Sequence, residues 1–424
     1  MNPVERRRRV GIVATGDELS NGSRVDTNSA AIAQRMFEIG YETDRILVLG
    51  DDEDALAATL VDLASRCDAV IVTGGLGPTL DDVTRAAAAR AAGVDLVLSE
   101  RALEDLRAWF ASRSRQFPAS NERQAWFPRG AEILENPHGT APGFVARVGG
   151  ALVFALPGPP REMQPMLEAE VVPRMLRLRE AASPSAASFY LFGLAEGAFA
   201  DLCGPWMART EDPLLGVTAH GGVLTARIVA RGAEAAFAPR VREFRARFAQ
   251  WIFSEEDADP AFALGRVLLE RALTVAVAES CTGGLVAEKL TRVPGISAVF
   301  DRGFVTYSDR AKSELLGVDP AIVRAKGAVS AEVAEAMALG AAKAAGTRLA
   351  VSVTGIAGPG GGSEAKPVGL VWFATARDGV AAVHERRFGV RGRELIREFA
   401  ANTALDLLRR EALDVSRRRE ALRD

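Results

Sequence analysis

The sequence predicts a mixed α/β protein: two three-layer α/β domains at residues 1–175 and 260–418, joined by a small α+β domain at 182–255. Three observations carry this expectation. The chain has 424 residues, too many for one ordinary hydrophobic core. Both end regions alternate short β-branched runs with Ala-rich helical stretches, the pattern of a sheet covered by helices on two faces. The middle region instead sets two β runs around Gly221-Gly222, a hairpin signal, between helices.

The elements follow in order. A strand is expected at 10–14, closed by Thr15-Gly16. Asn28 is expected to cap a helix reaching 39, where Gly40 stops it. A strand at 45–49 precedes a helix opened by Asp52 and ending near Arg66. A strand at 69–73 runs into Gly74-Gly75, and a helix follows at 83–92. Residues 96–130 read as mostly helical, 136–143 as a rigid turn and 151–155 as a strand ended by Pro157-Gly158-Pro159-Pro160. A helix is expected from Arg161. Residues 181–188 are small and polar and read as a linker.

The middle domain is expected to hold a helix at 198–207, strands at 215–219 and 223–230, and a helix at 233–249, with an acidic boundary at 254–260. The last domain starts with a helix at 261–271, a strand at 273–278 and a helix at 283–291. A strand at 299–306 leads to a short helix capped by Ser308, then a long one capped by Ser330. A strand at 349–353 enters a glycine-rich loop. A hairpin at 370–375 and 382–388 and a helix at 393–410 complete it.

Composition excludes several classes. The formal charge is −3 and the apolar fraction 48%, so nothing draws the whole chain to nucleic acid or to anionic lipid. The basic run at 6–9 reads as a solvated tail. Cys67, Cys203 and Cys281 stand alone, which argues against disulfides and a cysteine zinc site and fits a reducing compartment. No run is apolar enough for a signal peptide or a membrane span, so a cytoplasmic protein is expected. Lys occurs only at 289, 312, 326, 343 and 366; every other basic residue is Arg. Only Lys can act as a base after losing a proton, so a Lys beside a nucleophile carries extra weight.

The last domain holds the first candidate site. Glu279-Ser280-Cys281-Thr282-Gly283-Gly284 lies between a strand and a helix, where free backbone N–H groups point at the sheet edge. Ser280 can be a nucleophile there, with an oxyanion held by the N–H groups of 281–284. On spacing alone, helix caps are the plainer reading of Ser280 and Thr282, and Cys281 is a rival nucleophile. Lys312 starts a helix at the same sheet edge and is the candidate base; a solvated helix lysine or a distant His138, His220 or His384 are the alternatives. Thr354 opens the loop 354–363 and can orient Ser280 or Lys312. That loop can wrap an anion but lacks the Gly-Lys-Ser/Thr ending of a P-loop.

The first domain holds the second. Gly16-Asp17-Glu18, Asp26-Thr27-Asn28 and Gly74-Gly75-Leu76-Gly77-Pro78-Thr79 all follow strands. The glycines with Thr79 can hold a phosphate, and Asp81 or Asp82 a divalent cation. Helix-capping acids are the plainer reading. Asn136 and Gly158 lie in turns that can line the same cleft, and no dinucleotide fingerprint occurs.

At these motifs the chain resembles the full-length CinA family of competence/damage-inducible proteins. GDEL, DTN, GGLGPTLDD, NPHGTAPG, LPGPPREM, ESCTGG, VTYSDRAK, GAVS and TGIAGPGGG occur in the family's order, over nearly the whole chain. The first part is similar to molybdopterin-binding domains, the last to nicotinamide mononucleotide (NMN) deamidases. The resemblance implies hydrolysis of NMN to nicotinate mononucleotide and ammonia, without a cofactor. Ser280 would be the nucleophile, Lys312 the base and Thr354 their support. Thr282, Gly283, Gly284, Tyr307, Gly355, Gly358, Gly360 and Gly361 would meet the substrate. For the first domain it implies an ADP-ribose pyrophosphatase with a divalent metal ion, with or without a monovalent cation, at Asp81 and Asp82. Gly16, Asp17, Glu18, Asp26, Asn28, Gly74, Gly75, Gly77, Thr79, Asn136 and Gly158 would hold the nucleotide. A homodimer is implied, with no nucleic acid or membrane partner. Two residues depart from the pattern: Ser20 stands where the family commonly has Leu, and Asp309 where it has Asn. A carboxylate at 309 is expected to raise the Lys312 pKa and oppose a neutral amine.

Overall fold

The computed structural model describes residues 8–178, 185–230 and 233–413. They divide into two compact units, Met1–Pro184 and Ser185–Asp424. Residues 6–7 of the basic run, 179–184 with the first half of the expected linker, and 414–418 lie outside the described residues.

The first unit is built on a six-stranded sheet in the order Glu42–Leu49, Arg9–Thr15, Ala69–Thr73, Ala151–Leu156, Gly143–Val148, Glu132–Leu134. The first four strands are parallel and the last two antiparallel. Ala69–Thr73 is buried along its whole length, as a strand covered on both faces must be. Successive side chains serve opposite faces. Val70 and Val72 pack with Leu56, Leu60 and Leu103, whereas Ala69 and Ile71 pack with Ile32, Met36 and Met163.

Several expectations change here. Asn28 does not cap its helix; Asp26 does, accepting from the Ser29 amide at 3.0 Å. Asn28 lies inside the Asn28–Glu38 helix, and its side chain is buried. Residues 96–130 are less helical than expected, because Leu96–Leu98 and Trp126–Pro128 pair as short strands around the Glu100–Ala111 helix. The strands Glu132–Leu134 and Gly143–Val148 were not anticipated; glycine and proline on both sides of short apolar runs hid them.

The second unit contains two sheets. The antiparallel one has the order Leu214–His220, Val223–Val229, Ala186–Phe192, Ile252–Ser254. Ala186–Phe192 begins inside the expected linker, whose small residues masked the Phe-Tyr-Leu-Phe run behind them. The helices Glu196–Cys203 and Glu234–Phe248 cover one face through Phe199, Phe244 and Phe248.

The other sheet has the order Phe300–Val305, Val275–Glu279, Leu349–Gly355, Leu370–Arg377, Val380–Arg387, with the first three strands parallel. On one face Val275, Val277 and Val351 pack with Leu264, Leu290, Ile396 and Leu405. On the other, Ala276, Ala278 and Ala350 admit Val333 and Met337 of the Ala331–Ala345 helix. That helix also lies tight against the Leu316 carbonyl, since a Cβ at Gly340 would come within 2.0 Å of it. The expected boundary at 254–260 falls inside this unit, where Phe192, Val223, Phe253 and Ala263 share one apolar cluster. Among the described residues no helix is long and apolar enough to cross a membrane.

Candidate active site

Three strand ends meet at Ser280. The Ser280 amide donates to the Val353 carbonyl at 2.9 Å and the Thr306 amide to the Glu279 carbonyl at 2.7 Å, so parallel pairing continues to the edge of the sheet. The chain then turns through Gly283 and Gly284, both in the left-handed region at φ 61° and 98°, and enters the Leu285–Thr291 helix.

The start of that helix is not capped by Ser280 or Thr282. The buried Glu279 carboxylate caps it, accepting from the amides of Gly284 (3.0 Å), Val286 (3.1 Å) and Ala287 (2.9 Å). This corrects the expected oxyanion group. The Gly284 amide serves Glu279, and the Gly283 amide donates to the Ser280 carbonyl at 3.1 Å. Among the described residues the Cys281 and Thr282 amides, which follow Ser280 directly in the chain, donate to no other residue. Glu279 itself was not singled out from the sequence. A carboxylate just before a strand-to-helix turn was the available signal.

Lys312 enters from the Asp309–Leu316 helix, whose Ser308 cap accepts from the Ala311 amide at 3.1 Å. Its side chain is 1% exposed. Nζ lies 3.2 Å from Ser280 Oγ and donates to the Thr306 carbonyl at 2.9 Å. Burial lowers the amine's pKa below the ordinary lysine value, while Asp309 and Cys281 push it up and do not prevail. The departure at 309 therefore leaves the amine with a lowered pKa. Burial also pushes the Cys281 thiol up to about 12, so it is no thiolate at neutral pH and fails as the rival nucleophile. Among the described residues of this unit no histidine is bonded to Ser280. His384 lies on the Val380–Arg387 strand opposite Phe373, and His220 faces Glu398 at 3.2 Å.

Thr354 is fully buried, but its hydroxyl donates to the Ala328 carbonyl at 2.8 Å rather than to Ser280 or Lys312. Thr282 is also fully buried; among the described residues its Oγ1 has no partner, and its carbonyl accepts from Arg397 at 2.8 Å. Tyr307 is 61% exposed. Its hydroxyl accepts from Arg393 Nη2 at 2.8 Å, while Arg393 Nη1 donates to the Gly358 carbonyl at 2.8 Å. Arg393 thus ties the Tyr307 segment to the glycine-rich loop. Gly355 ends its strand so close to the next that a Cβ would meet Val371 Cγ2 at 2.7 Å. Gly360 faces open space, and Gly361 has only Ile356 Cγ2 near, at 3.9 Å. Sequence reasoning missed Arg393 and Arg397. For Arg393 the signal was a cation in the first turn of a helix, where the dipole disfavours it unless something else holds it.

The first unit has its own cavity, of about 440 Å³, at the C-terminal edge of its parallel strands. Gly16, Glu18, Asp26, Asn28, Gly74, Gly75, Gly77 and Gly158 line it, with Asp81 and Asp82. Asn28 Nδ2 donates to Thr73 Oγ1 (2.9 Å) and the Gly158 carbonyl (2.8 Å), while its buried Oδ1 has no partner among the described residues. Three expected residues stay outside the lining. Asp17 exchanges backbone-to-carboxylate bonds with Asp51, and Asn136 donates to Ala141 and Glu162. Thr79 turns to Asp82. Asp82 spends Oδ1 on the Gly77 amide and Oδ2 on the Thr79 amide and hydroxyl. Among the described residues no three His, Cys, Asp or Glu side chains gather as metal ligands. Asp81 and Asp82 line the cavity without a third such ligand gathered with them, so a cation held there would take its remaining ligands from substrate phosphates.

The chain is thus a multidomain α/β protein with one candidate site in each unit. Residues 258–412 match the family described as CinA C-terminal domain, and residues 11–177 the one described as probable molybdopterin binding domain. A CinA-like protein of Citrifermentans bemidjiense is 44% identical over 407 residues, covering 96% of this chain and 98% of that one. A putative competence-damage inducible protein of Alkaliphilus oremlandii is 38% identical over 419 residues, covering 96% and 100%. The chain belongs to the CinA family. Among solved structures, competence/damage inducible protein CihA of Agrobacterium tumefaciens is 49% identical, covers 35% of this chain and 93% of its own, and has a TM-score of 0.34.

Proposed function

We propose that the second unit is a serine amidohydrolase that converts NMN to nicotinate mononucleotide and ammonia. One observation carries the reading: a buried amine with a lowered pKa, 3.2 Å from a serine hydroxyl at a sheet edge. The Thr306 carbonyl holds one amine hydrogen, which turns the lone pair of neutral Lys312 toward Ser280 Oγ. As Oγ bonds to the carboxamide carbon, its proton passes to Lys312 and the carbonyl π electrons move to oxygen. The Cys281 and Thr282 amides hold that oxyanion. Collapse breaks the C–N bond, and the leaving nitrogen takes the proton from Lys312 to depart as ammonia. Water then attacks the acyl carbon, giving its proton to Lys312. The second collapse returns a proton to Oγ and releases the acid. Ammonia release from NMN, compared between wild type and Ser280→Ala, tests the reading; equal rates would end it.

A second reading is kept for the first unit, on the strength of its 440 Å³ cavity. There we infer binding and cleavage of ADP-ribose between its phosphates. A divalent metal ion, with or without a monovalent cation, belongs to this reading by family resemblance, and no step is routed through it. AMP production by the full chain, with and without chelator, tests it. The same proposal puts the protein in the cytoplasm as a homodimer acting on small nucleotides, without nucleic acid or membrane.

A further inference from the structure

In the loop Gly74–Thr79, which borders the cavity, carbonyls and amides are engaged unequally. All four carbonyls from 74 to 77 are occupied by donors of the protein itself. Gly74 O accepts from Thr84 Oγ1 at 2.8 Å and Gly75 O from the Thr84 amide at 3.2 Å. Leu76 O accepts from Arg85 Nη1 (2.8 Å) and Gln124 Nε2 (3.3 Å), and Gly77 O from Arg85 Nη2 (2.6 Å). Of the amides, Gly74 donates to the Leu156 carbonyl at 3.0 Å, and those of Gly77 and Thr79 to Asp82. Gly75 and Leu76 keep theirs, and both residues line the cavity. A loop that coordinates a cation would keep carbonyls free for it; here the carbonyls of 74–77 are occupied, and among the described residues the Gly75 and Leu76 amides donate to none.

Arg85 is the second observation. It is 4% exposed, and among the described residues no carboxylate lies within ion-pair distance of it. Burial pulls its guanidinium down to about 10, with Asp82 offsetting part of the effect, so it is charged at neutral pH. A buried cation held only by neutral carbonyls is costly unless a negative charge arrives nearby. The cavity that the loop borders is where one can.

We propose that Arg85 is a positioning residue for a direct, metal-independent phosphate subsite at the Gly75 and Leu76 amides. Its two donors fix the loop's carbonyls, and its charge is the counter-charge that the bound anion balances through the loop. This deepens the second reading by giving the phosphate its contact within the cavity.

The test uses the full chain in excess EDTA with inorganic pyrophosphate as the probe, by titration calorimetry and by amide resonances selectively labelled at Gly and Leu. Wild type should bind, weaken with added salt, and shift Gly75 and Leu76. Arg85→Met should bind at least about tenfold more weakly, and Arg85→Lys, which keeps the charge, should recover part of the loss. No binding in EDTA, unshifted Gly75 and Leu76 resonances, or an Arg85→Met variant that binds like wild type would each overturn the proposal. If Arg85→Met does not fold, the wild-type resonances decide. AMP release from ADP-ribose is measured separately. Its absence with Gly75 and Leu76 still shifted defeats the hydrolase reading alone, and its presence with unshifted resonances defeats the phosphate subsite alone.

Discussion

Lys312 Nζ and Ser280 Oγ stand 3.2 Å apart, joined across the sheet edge although one begins a helix and the other ends a strand. The contact exists because the Thr306 carbonyl and the Ser308 cap hold the helix start against the strand that carries Ser280. Ser280→Ala and Lys312→Arg should each reduce ammonia release from NMN by about a thousandfold or more. The arginine variant is the sharper test, since it keeps the charge and loses the removable proton. Full activity in Lys312→Arg would take the base role away from this residue.

Asp309 sets the position of the acid limb. Its charge raises the Lys312 pKa against the larger effect of burial. Asp309→Asn removes that contribution, so Lys312 should lose its proton at lower pH. The profile of kcat/KM against pH should then rise earlier, with the plateau near that of wild type. An unmoved limb means that the titrating group is not Lys312.

Glu279 makes stability and turnover depend on one carboxylate. Replacing it with Ala leaves three amides at a buried helix start without their acceptor. About 3 kcal/mol of stability should be lost, read as a lower denaturant midpoint, with kcat falling as the Ser280 turn loosens. A variant as stable as wild type would mean that water replaces the carboxylate at no cost.

Arg393 should act on binding more than on chemistry. Arg393→Ala releases the tie between Tyr307 and Gly358, two segments beside the site. KM for NMN should rise by about tenfold while kcat changes much less. A fall in kcat alone would place Arg393 closer to the reacting atoms.

Chelation should separate the two sites. Excess EDTA is expected to leave ammonia release from NMN unchanged, because no step assigned to Ser280 or Lys312 uses a metal. Any AMP production from ADP-ribose should fall sharply. An amide reaction that stops in EDTA would require a different mechanism.

Much of this was legible in the sequence, and unevenly so. The parallel strands were readable because a strand buried on both faces must be continuously apolar, as at Ala69–Thr73 and Val275–Glu279. The short strands at Glu132–Leu134 and Ile252–Ser254 were not, since three residues carry no period. Ser280 and Lys312 were readable as strand-end and helix-start residues. What each hydroxyl and carboxylate bonds was not, because it depends on where other segments arrive. Thr354 reaches Ala328, Asp82 serves Gly77 and Thr79, and Arg393 comes from the last helix.

The Gly221-Gly222 turn rests on the helix Arg393–Ala412. Asn402 Nδ2 donates to the Gly221 carbonyl at 2.8 Å, and a Cβ on Gly222 would strike the Phe399 ring at 2.7 Å. The helix that brings Arg393 and Arg397 to the serine is therefore shared property of two sheets. A chain shortened to begin at 258 would bare the flank of Phe399 and strip Ala263 of Phe192 and Val223. Such a fragment should melt below the full chain's second unit and cling to apolar dyes. In the intact protein these two sheets should come apart in one calorimetric step, not two.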